Sequence, residues 1–211
     1  MTVMAAQGVS RTTETRRRAL LDAAIEVFAR FGYRKTSMDD VARAAGVSRQ
    51  GLYLHFADKE DLFRATVQHG LRAHLAAAVA ALADETQSLE SRLVTAFDEW
   101  LGRRIGMAGA GASDLIESSG ALAGTILSEH GARFDKAVAH AISTSPLMAV
   151  YARAKLTPMH LARTLHATAR GLKHSSASRE EFTASVAIAA RMLCAPRPPA
   201  AGRTGSSTCR G

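Results

Sequence analysis

The stretch Gly46–Phe56, GVSRQGLYLHF, is the part of the sequence that decides the fold. It begins with a glycine, continues with Ser48, one of the residue types that cap helices, and ends among apolar and aromatic residues. A helix this short is not stable in water on its own. The stretch therefore predicts a short helix that is held by its neighbours and presents its polar N-terminal end after a tight turn.

A second short helix is predicted immediately before this stretch. Ser37 and Asp40 have the spacing of a capping box, in which each side chain accepts a hydrogen bond from the other residue's backbone N–H. The residues of this helix expected to face inward are Met38, Val41, Ala42 and Ala45. Gly46 allows the positive φ that a turn between two such helices commonly needs. Two short helices joined by a glycine turn predict a helix-turn-helix.

The exposed end of the second helix carries the candidate base-reading residues. Val47 and Leu52 are apolar and are expected to face the core. That leaves Arg49, Gln50 and Gly51 at the N-terminal end, which helix-turn-helix proteins present to the major groove. An arginine fork can donate to guanine O6 and N7, a glutamine can pair with adenine N6 and N7, and a glycine permits close approach to DNA. Taken alone, the stretch is also compatible with an ordinary helical hairpin.

Other polar side chains around these two helices suit phosphate oxygens. They are the hydroxyls of Thr36, Ser37 and Ser48, the polar tips of Tyr53 and His55, and the ammonium of Lys59. Lys59 would stand in the first turn of a following helix, where a cation is combined with free backbone N–H groups. The basic run Arg16–Arg18 has two interpretations, a solvated helix end or an arm that contacts phosphate or the minor groove.

The flanks of the motif complete a compact N-terminal unit over residues 13–60, preceded by a flexible arm over residues 1–12. The first helix, starting near Thr13, has an apolar face formed by Leu20, Leu21, Ala24, Ile25 and Phe28. Gly32 is predicted to end it, because glycine accepts the left-handed conformation found after helices. Asp58 is predicted to cap a fourth helix that runs from Lys59 to about Ala83.

The segment 13–65 resembles the DNA-binding domain of the TetR/AcrR family of bacterial transcriptional regulators. The motifs that carry the resemblance are FARFGY (28–33), KTSMDDVARAAGVS (35–48) and GLYLHFADKEDLF (51–63). By their positions in these motifs, the following residues match places that contact DNA in the family: Ser37, Arg49, Gln50, Gly51, Tyr53, His55 and Lys59.

The resemblance implies a homodimer whose second, all-helical domain dimerises and binds a small molecule. It implies binding to a roughly palindromic operator of double-stranded DNA, and repression that ends when the effector binds. Repressor and activator remain open, as does a regulator with no small-molecule effector. An enzyme is not predicted, since no nucleophile–base spacing or phosphate loop is present; a paired carboxylate and histidine deep in a pocket would reopen that question.

Composition agrees with an all-α, two-domain protein. Good helix formers are abundant, aromatic residues make up 5% of the chain, and the net charge is +8, which suits a polyanionic partner. The two cysteines, Cys194 and Cys209, have no CxxC partner, and a reducing cytosol fits. The resemblance to bacterial regulators implies a cytoplasmic, nucleoid-associated protein. The histidines lack spacing for a metal site, and we predict neither metal nor cofactor. No secretory signal or membrane span is predicted.

The remainder divides into a helical effector-binding and dimerisation domain over residues 61–195 and a disordered tail over residues 196–211. Helices are predicted over 89–105, 113–117, 121–142, 146–155, 158–173 and 179–193, with a flexible break at 106–111. The last two carry many alanines with interspersed leucines. We predict that they form the dimer interface (158–193), with an intramolecular core as the alternative.

Candidate pocket residues in this domain are few. Trp100 suggests a ligand-stacking side chain, and Phe97 and Met107 are candidates for the pocket in the same way. A single tryptophan in an amphipathic helix is equally explained as core.

Overall fold

The structure, a computed structural model, describes residues 3–105 and 112–195, and every regular element in those ranges is helical. In chain order the α-helices are α1 (Val3–Lys35), α2 (Met38–Ala44), α3 (Arg49–Tyr53), α4 (Lys59–Ala83), α5 (Leu89–Trp100), α6 (Ala112–Ser143), α7 (Met148–Tyr151), α8 (Pro158–Ser175) and α9 (Arg179–Cys194). Short 3₁₀ turns follow α5 at Gly102–Arg104 and α7 at Ala152–Ala154.

Helix α1 begins at Val3, before the start near Thr13 that the sequence predicted. Residues 3–12 contain no proline and several good helix formers, so nothing local prevents the helix from extending backwards. The backbone of the predicted arm is therefore helical from Val3 onwards, and its flexibility stays a prediction. Gly32 has φ +81° and interrupts the helix where the sequence predicted its end, although one further turn reaches Lys35.

We call residues 3–66 the head. Its apolar core is built from residues that the periodicity of the sequence placed inward, among them Leu20, Leu21, Ala24, Val41, Leu52 and Phe56. The rings of Phe28 and Phe63 meet edge to face with centroids 5.0 Å apart, and Tyr33 packs 4.8 Å from Phe63. This small core orients α2 and α3 on α1 and α4.

We call the described residues from 67 to 195 the body, which has a second core. Phe97, Phe134 and Phe182 are fully buried there, and Trp100 is stacked on Phe134 with ring centroids 5.1 Å apart. The amphipathic segment predicted over 89–105 is α5 followed by the first 3₁₀ turn.

Two predicted helices of the body, 113–117 and 121–142, are the two parts of α6, which meet at a kink at Ala123, where φ is −132°. The sequence predicted a break at this part of the chain but placed it a few residues earlier, at Ser118-Ser119-Gly120. The segment predicted as a helix over 146–155 is α7 and a 3₁₀ turn, ending at Lys155 with φ +56°.

The last two helices, α8 and α9, occur where the sequence placed them and pack on each other. Of the remaining predictions, the flexible break at 106–111, which includes Met107, and the tail at 196–211 lie outside the described residues. In the described ranges, no helix combines the length and apolar character needed to cross a bilayer. The same ranges hold no cluster of three or more histidine, cysteine or acidic side chains that could bind a metal.

Candidate DNA-binding surface and internal cavity

The hairpin of α2 and α3 is held by local hydrogen bonds that the sequence predicted. The Asp40 N–H donates to Ser37 Oγ at 3.2 Å, and the Ser37 N–H donates to Asp40 Oδ2 at 3.0 Å, which completes the capping box. This bonding lowers the pKa of the Asp40 carboxyl. In the turn, Gly46 has φ +65°, and the N–H of Val47 donates to the Ala42 carbonyl at 3.0 Å. The turn is therefore fixed at both ends.

The candidate base-reading residues stand on the surface at the start of α3. Arg49 and Gln50 are exposed, and Ser48 Oγ caps the helix by accepting from the Gly51 N–H at 3.0 Å. Arg49 Nη1 lies 2.9 Å from Asp39 Oδ2, and its guanidinium stands 5.7 Å from the Tyr53 ring centroid. The arginine is thus partly ordered on the surface without being buried.

Thr36 does not belong with the other candidates. It is 3% exposed, and its hydroxyl donates to the Gly32 carbonyl at 2.6 Å. The reason is the break at Gly32, which leaves a carbonyl free for a buried hydroxyl. We therefore assign Thr36 to the end of α1 and not to a phosphate contact. Ser37 and Ser48 are exposed, although their side chains already cap helices.

The candidates after α3 differ in how freely they are presented. Tyr53 is exposed and His55 is half-buried. The Lys59 ammonium donates to the Tyr33 carbonyl at 3.2 Å and lies 4.4 Å from the Tyr33 ring centroid, so it is directed towards the head. The surface near Lys59 is mainly the N-terminal turn of α4. Asp58 caps this turn, because its Oδ1 accepts from the Asp61 N–H at 2.8 Å.

Two features of this surface were not predicted. Leu54 is 81% exposed beside Tyr53, an unusual position for a large apolar side chain. Such a side chain suits an apolar contact with a thymine methyl group or with sugar. Arg17 of the basic run lies over the Phe56 ring, 5.0 Å from its centroid, which places the run next to the C-terminal end of α3.

A cavity of about 880 Å³ lies where the head meets the body. From the head it is lined by Ile25, Phe28 and Phe63, and from the body by residues that include Trp100 and Leu127. Trp100, a predicted pocket residue, therefore borders it while remaining 4% exposed. Phe97 does not line it; its side chain is fully buried and packs edge to face on Phe134 at 5.0 Å.

A chain of polar contacts crosses one wall of the cavity. Trp100 Nε1 donates to His166 Nε2 at 3.3 Å, and His166 Nδ1 lies 2.6 Å from Asp135 Oδ1. An indole nitrogen can only donate, so His166 must carry its proton on Nδ1 and donate it to the carboxylate. Arg104 continues the chain, because its Nη2 donates to the Trp100 carbonyl at 2.7 Å.

These observations define a class of protein: an all-helical, two-part molecule with a helix-turn-helix at one end and a cavity next to it. Residues 20–66 match the model of the family described as bacterial regulatory proteins, tetR family. Over this part the chain is similar to the DNA-binding domain of the TetR/AcrR family of transcriptional regulators.

Individual relatives agree with this assignment. The chain is 43% identical over 60 residues to the transcriptional regulator AcrR of Shigella flexneri, covering 28% of this chain and 27% of that protein. It is 38% identical over 88 residues to the transcriptional activator FasR of Mycolicibacterium smegmatis, covering 40% of each. These matches span well under half the length of either relative. A solved TetR-family structure from Mesorhizobium loti, 20% identical, superposes with a TM-score of 0.65 over 86% of this chain and 96% of that one, which extends the likeness of fold to the body.

Proposed function

We propose that this protein is a homodimeric repressor that binds a roughly palindromic DNA operator and leaves it when a small molecule occupies the cavity. The observation that carries the proposal is the placement of Arg49 and Gln50, exposed at the N-terminal end of a short helix whose turn and cap are both fixed. That end is the one a helix-turn-helix presents to base edges in the major groove. Phosphate contacts supply affinity and salt dependence, and the two side chains supply sequence choice.

The body supports a dimer through α8 and α9. Ile188 and Met192 are 61% and 74% exposed, and they stand four residues apart on one face of α9. The exposed positions of α8 include the small residues Thr164, Ala167 and Gly171, which permit close helix approach. A second copy of the chain packed on this face would bury the two apolar side chains and place two recognition helices on one duplex, about one helical turn apart.

The position of the cavity supports control by an effector. Its walls come from both cores, since Phe28 and Phe63 belong to the head and Trp100 to the body. A molecule that fits the cavity better in one arrangement of head and body shifts the equilibrium towards that arrangement, and by linkage alters DNA affinity. A regulator without an effector would be expected to fill this space with large side chains, so the cavity argues against that alternative.

One observation favours an enzyme as a second candidate function. Asp135 and His166 form a carboxylate–histidine pair of the kind that can act in catalysis, and both line the cavity. However, the remaining nitrogen of His166 accepts the Trp100 N–H, so it is not available as a general base unless that bond breaks. The pair is explained by the positioning of Trp100. Hydrolysis of p-nitrophenyl esters tests this: equal background rates for the wild type and His166→Asn support the regulator.

Genomic footprinting of the purified protein tests the proposed function. It should protect short, two-fold symmetric sites, and a reporter gene placed downstream of such a site should be expressed less when the protein is present. Expression that rises instead would identify an activator, as FasR is named. Protection without sequence preference at moderate salt would contradict operator recognition altogether.

A further inference from the structure

The cavity between head and body has an apolar part and a basic part. The side facing the head is lined by hydrocarbon, with Ile25, Phe28, Phe63 and Val67 as its main contributors. The side facing α8 and the 3₁₀ turn after α5 carries nitrogen-bearing side chains: His74, Arg104, Arg170, Lys173 and His174. Asp135 carries the one carboxylate among the described lining residues, and its Oδ1 already lies 2.6 Å from His166 Nδ1.

Arg104 is held in place with hydrogen-bonding capacity to spare. Its guanidinium stands 5.5 Å from the Trp100 ring centroid, and Nη2 donates to the Trp100 carbonyl at 2.7 Å. Nε is buried and has no hydrogen-bond partner within the described residues. A buried donor on a charged group that makes no hydrogen bond is costly, and such a group often marks a binding function. Burial also lowers the pKa of Arg104, although arginine stays charged at any working pH.

Lys173 stands in the same basic part. Its pKa is lowered to about 8, by burial first and by the positive charges of Arg104 and Arg170 next. His74 also has a lowered pKa, through burial and then through Arg104 and Arg103, which keeps it neutral near pH 7. Lys173 is still mostly protonated near pH 7, so two half-buried cations, Arg104 and Lys173, repel each other across the cavity.

We propose that the effector is a single-headed organic anion, a carboxylate on an apolar body, with its head group between Arg104 and Lys173 and its body against Phe28 and Phe63. This inference rests on the proposed function, because it names the class of molecule that the cavity takes. A carboxylate offsets the two positive charges and supplies acceptors for the Arg104 guanidinium and for the Lys173 ammonium. Charged hydrogen bonds of this kind are roughly twice as strong as neutral ones.

Other ligand chemistries fit less well. A cation would add a third positive charge beside Arg104 and Lys173. A neutral apolar molecule would fill the hydrocarbon side but leave the charges of Arg104 and Lys173 without a counter-charge. A molecule with anionic groups at both ends would place one of them against the opposite wall, which is hydrocarbon. The volume of about 880 Å³ lies within the range of drug-sized ligand pockets, about 300–1,000 Å³.

Titration calorimetry of the full-length protein with three twelve-carbon probes tests the inference. The probes are dodecanoate, 1-dodecanol and dodecyltrimethylammonium, each below its micellar concentration at pH 7. Dodecanoate should bind at least about 10-fold more tightly than the alcohol, since one charged hydrogen bond corresponds to a factor of that size or more. Equal affinity for acid and alcohol, or tighter binding of the ammonium probe, would overturn the inference.

Variants assign the binding to the basic part. Lys173→Met and Arg104→Met should each weaken dodecanoate binding by about 10- to 100-fold and leave dodecanol binding unchanged. Lys136→Met is the matched control: it removes one charge from an exposed site of α6 outside the lining and should change neither affinity. If Arg104→Met unfolds, Lys173→Met decides. Equal losses for Lys173→Met and Lys136→Met would refute the assigned head-group site.

Operator binding, followed by fluorescence anisotropy in the same samples, separates this inference from the function on which it rests. If dodecanoate binds as described but operator affinity does not change, the effector-release part of the proposed function fails and the anion site stands. If operator binding is intact and no probe prefers the anionic form, the anion site is wrong and DNA recognition stands.

Discussion

Arg34, in the last turn of α1, and Asp114, in the first turn of α6, join the head to the body through both backbone and side chain. The Arg34 N–H donates to Asp114 Oδ2 at 2.7 Å, and Arg34 Nε lies 3.3 Å from Asp114 Oδ1. The N–H is available because Gly32 interrupts the helical ladder just before it. Nearby, Arg64 Nε donates to the Leu122 carbonyl at 3.1 Å. Movements of α6 relative to the head must therefore strain or break these bonds.

Replacing Asp114 with alanine should destabilise the protein more than replacing Glu117, although Arg34 pairs with both. Asp114→Ala leaves a backbone N–H without its partner and should lower the free energy of unfolding by about 1–3 kcal/mol. Glu117 offers only an exposed ion pair at 3.0 Å, and Glu117→Ala should cost about 0–1 kcal/mol. Urea unfolding of both variants measures the difference. Equal losses would mean that the backbone bond contributes nothing.

The reading of bases is tested by comparing two arginines of the hairpin. Arg49→Ala should cost about 1–3 kcal/mol on the operator and little on random DNA, because it removes a base contact. Arg43→Ala, which removes an exposed charge on α2, should weaken both by similar amounts, as expected for a phosphate or long-range effect. Gel-shift titrations on both DNAs at several salt concentrations measure this. A loss shared equally between operator and random DNA in Arg49→Ala would contradict base reading.

The dimer is tested by charging the apolar face of α9. Ile188→Lys and Met192→Lys should each yield monomers, because a lysine at an exposed apolar position of an interface cannot be buried without cost. Operator affinity should then fall by about 100-fold or more, since two linked half-site contacts become one. Val79→Lys is the matched control, another exposed apolar residue, on α4. Sedimentation velocity gives the oligomeric state. A dimer that persists in both variants would exclude this face.

The lowered pKa of Lys173 predicts how the stability of the folded protein depends on pH. Its pKa is lowered from 10.5 to about 8 in the folded protein, by burial first and by Arg104 and Arg170 next. Between these two values the unfolded chain binds more protons than the folded one, so the Lys173 contribution makes the protein more stable as pH rises from about 8 towards 10.5.

Lys173→Met removes this contribution. The variant should be more stable than the wild type at pH 7, because a half-buried charge is gone, and the advantage should shrink as pH rises above 8. Urea unfolding at pH 7 and pH 9 checks both statements. A variant less stable than the wild type at pH 7, with no change in the difference at pH 9, would show that the ammonium is satisfied in the folded state.

Local signals in the sequence were sufficient for the head. Ser37 with Asp40, Gly46, Ser48 and Asp58 each act within a few residues, so the positions of helix starts and of the turn follow from residue types. The failure at Thr36 has a tertiary cause. Whether its hydroxyl faces solvent or the Gly32 carbonyl depends on how α1 ends, and residue type does not determine that.

The cavity could not be predicted in the same way. Its walls come from five helices, α1, α4, α5, α6 and α8, and its basic part combines Arg104 of the 3₁₀ turn after α5 with Lys173 of α8. Trp100 was a candidate because of its residue type, and Phe97 lies outside the lining because its ring is buried against Phe134. The break in α6 lies at Ala123 and not at Ser118-Ser119-Gly120, because serines and glycines weaken a helix without ending it.

The most direct test of the account is selection of binding sites from a random duplex library by the wild type and by Arg49→Ala. The wild type should enrich a two-fold symmetric sequence with half-sites about one helical turn apart. The variant should enrich the same symmetric pattern but lose preference at one position in each half-site. Enrichment of no symmetric sequence by the wild type, or of an identical sequence by both proteins, would contradict the claim that α3 reads DNA through Arg49.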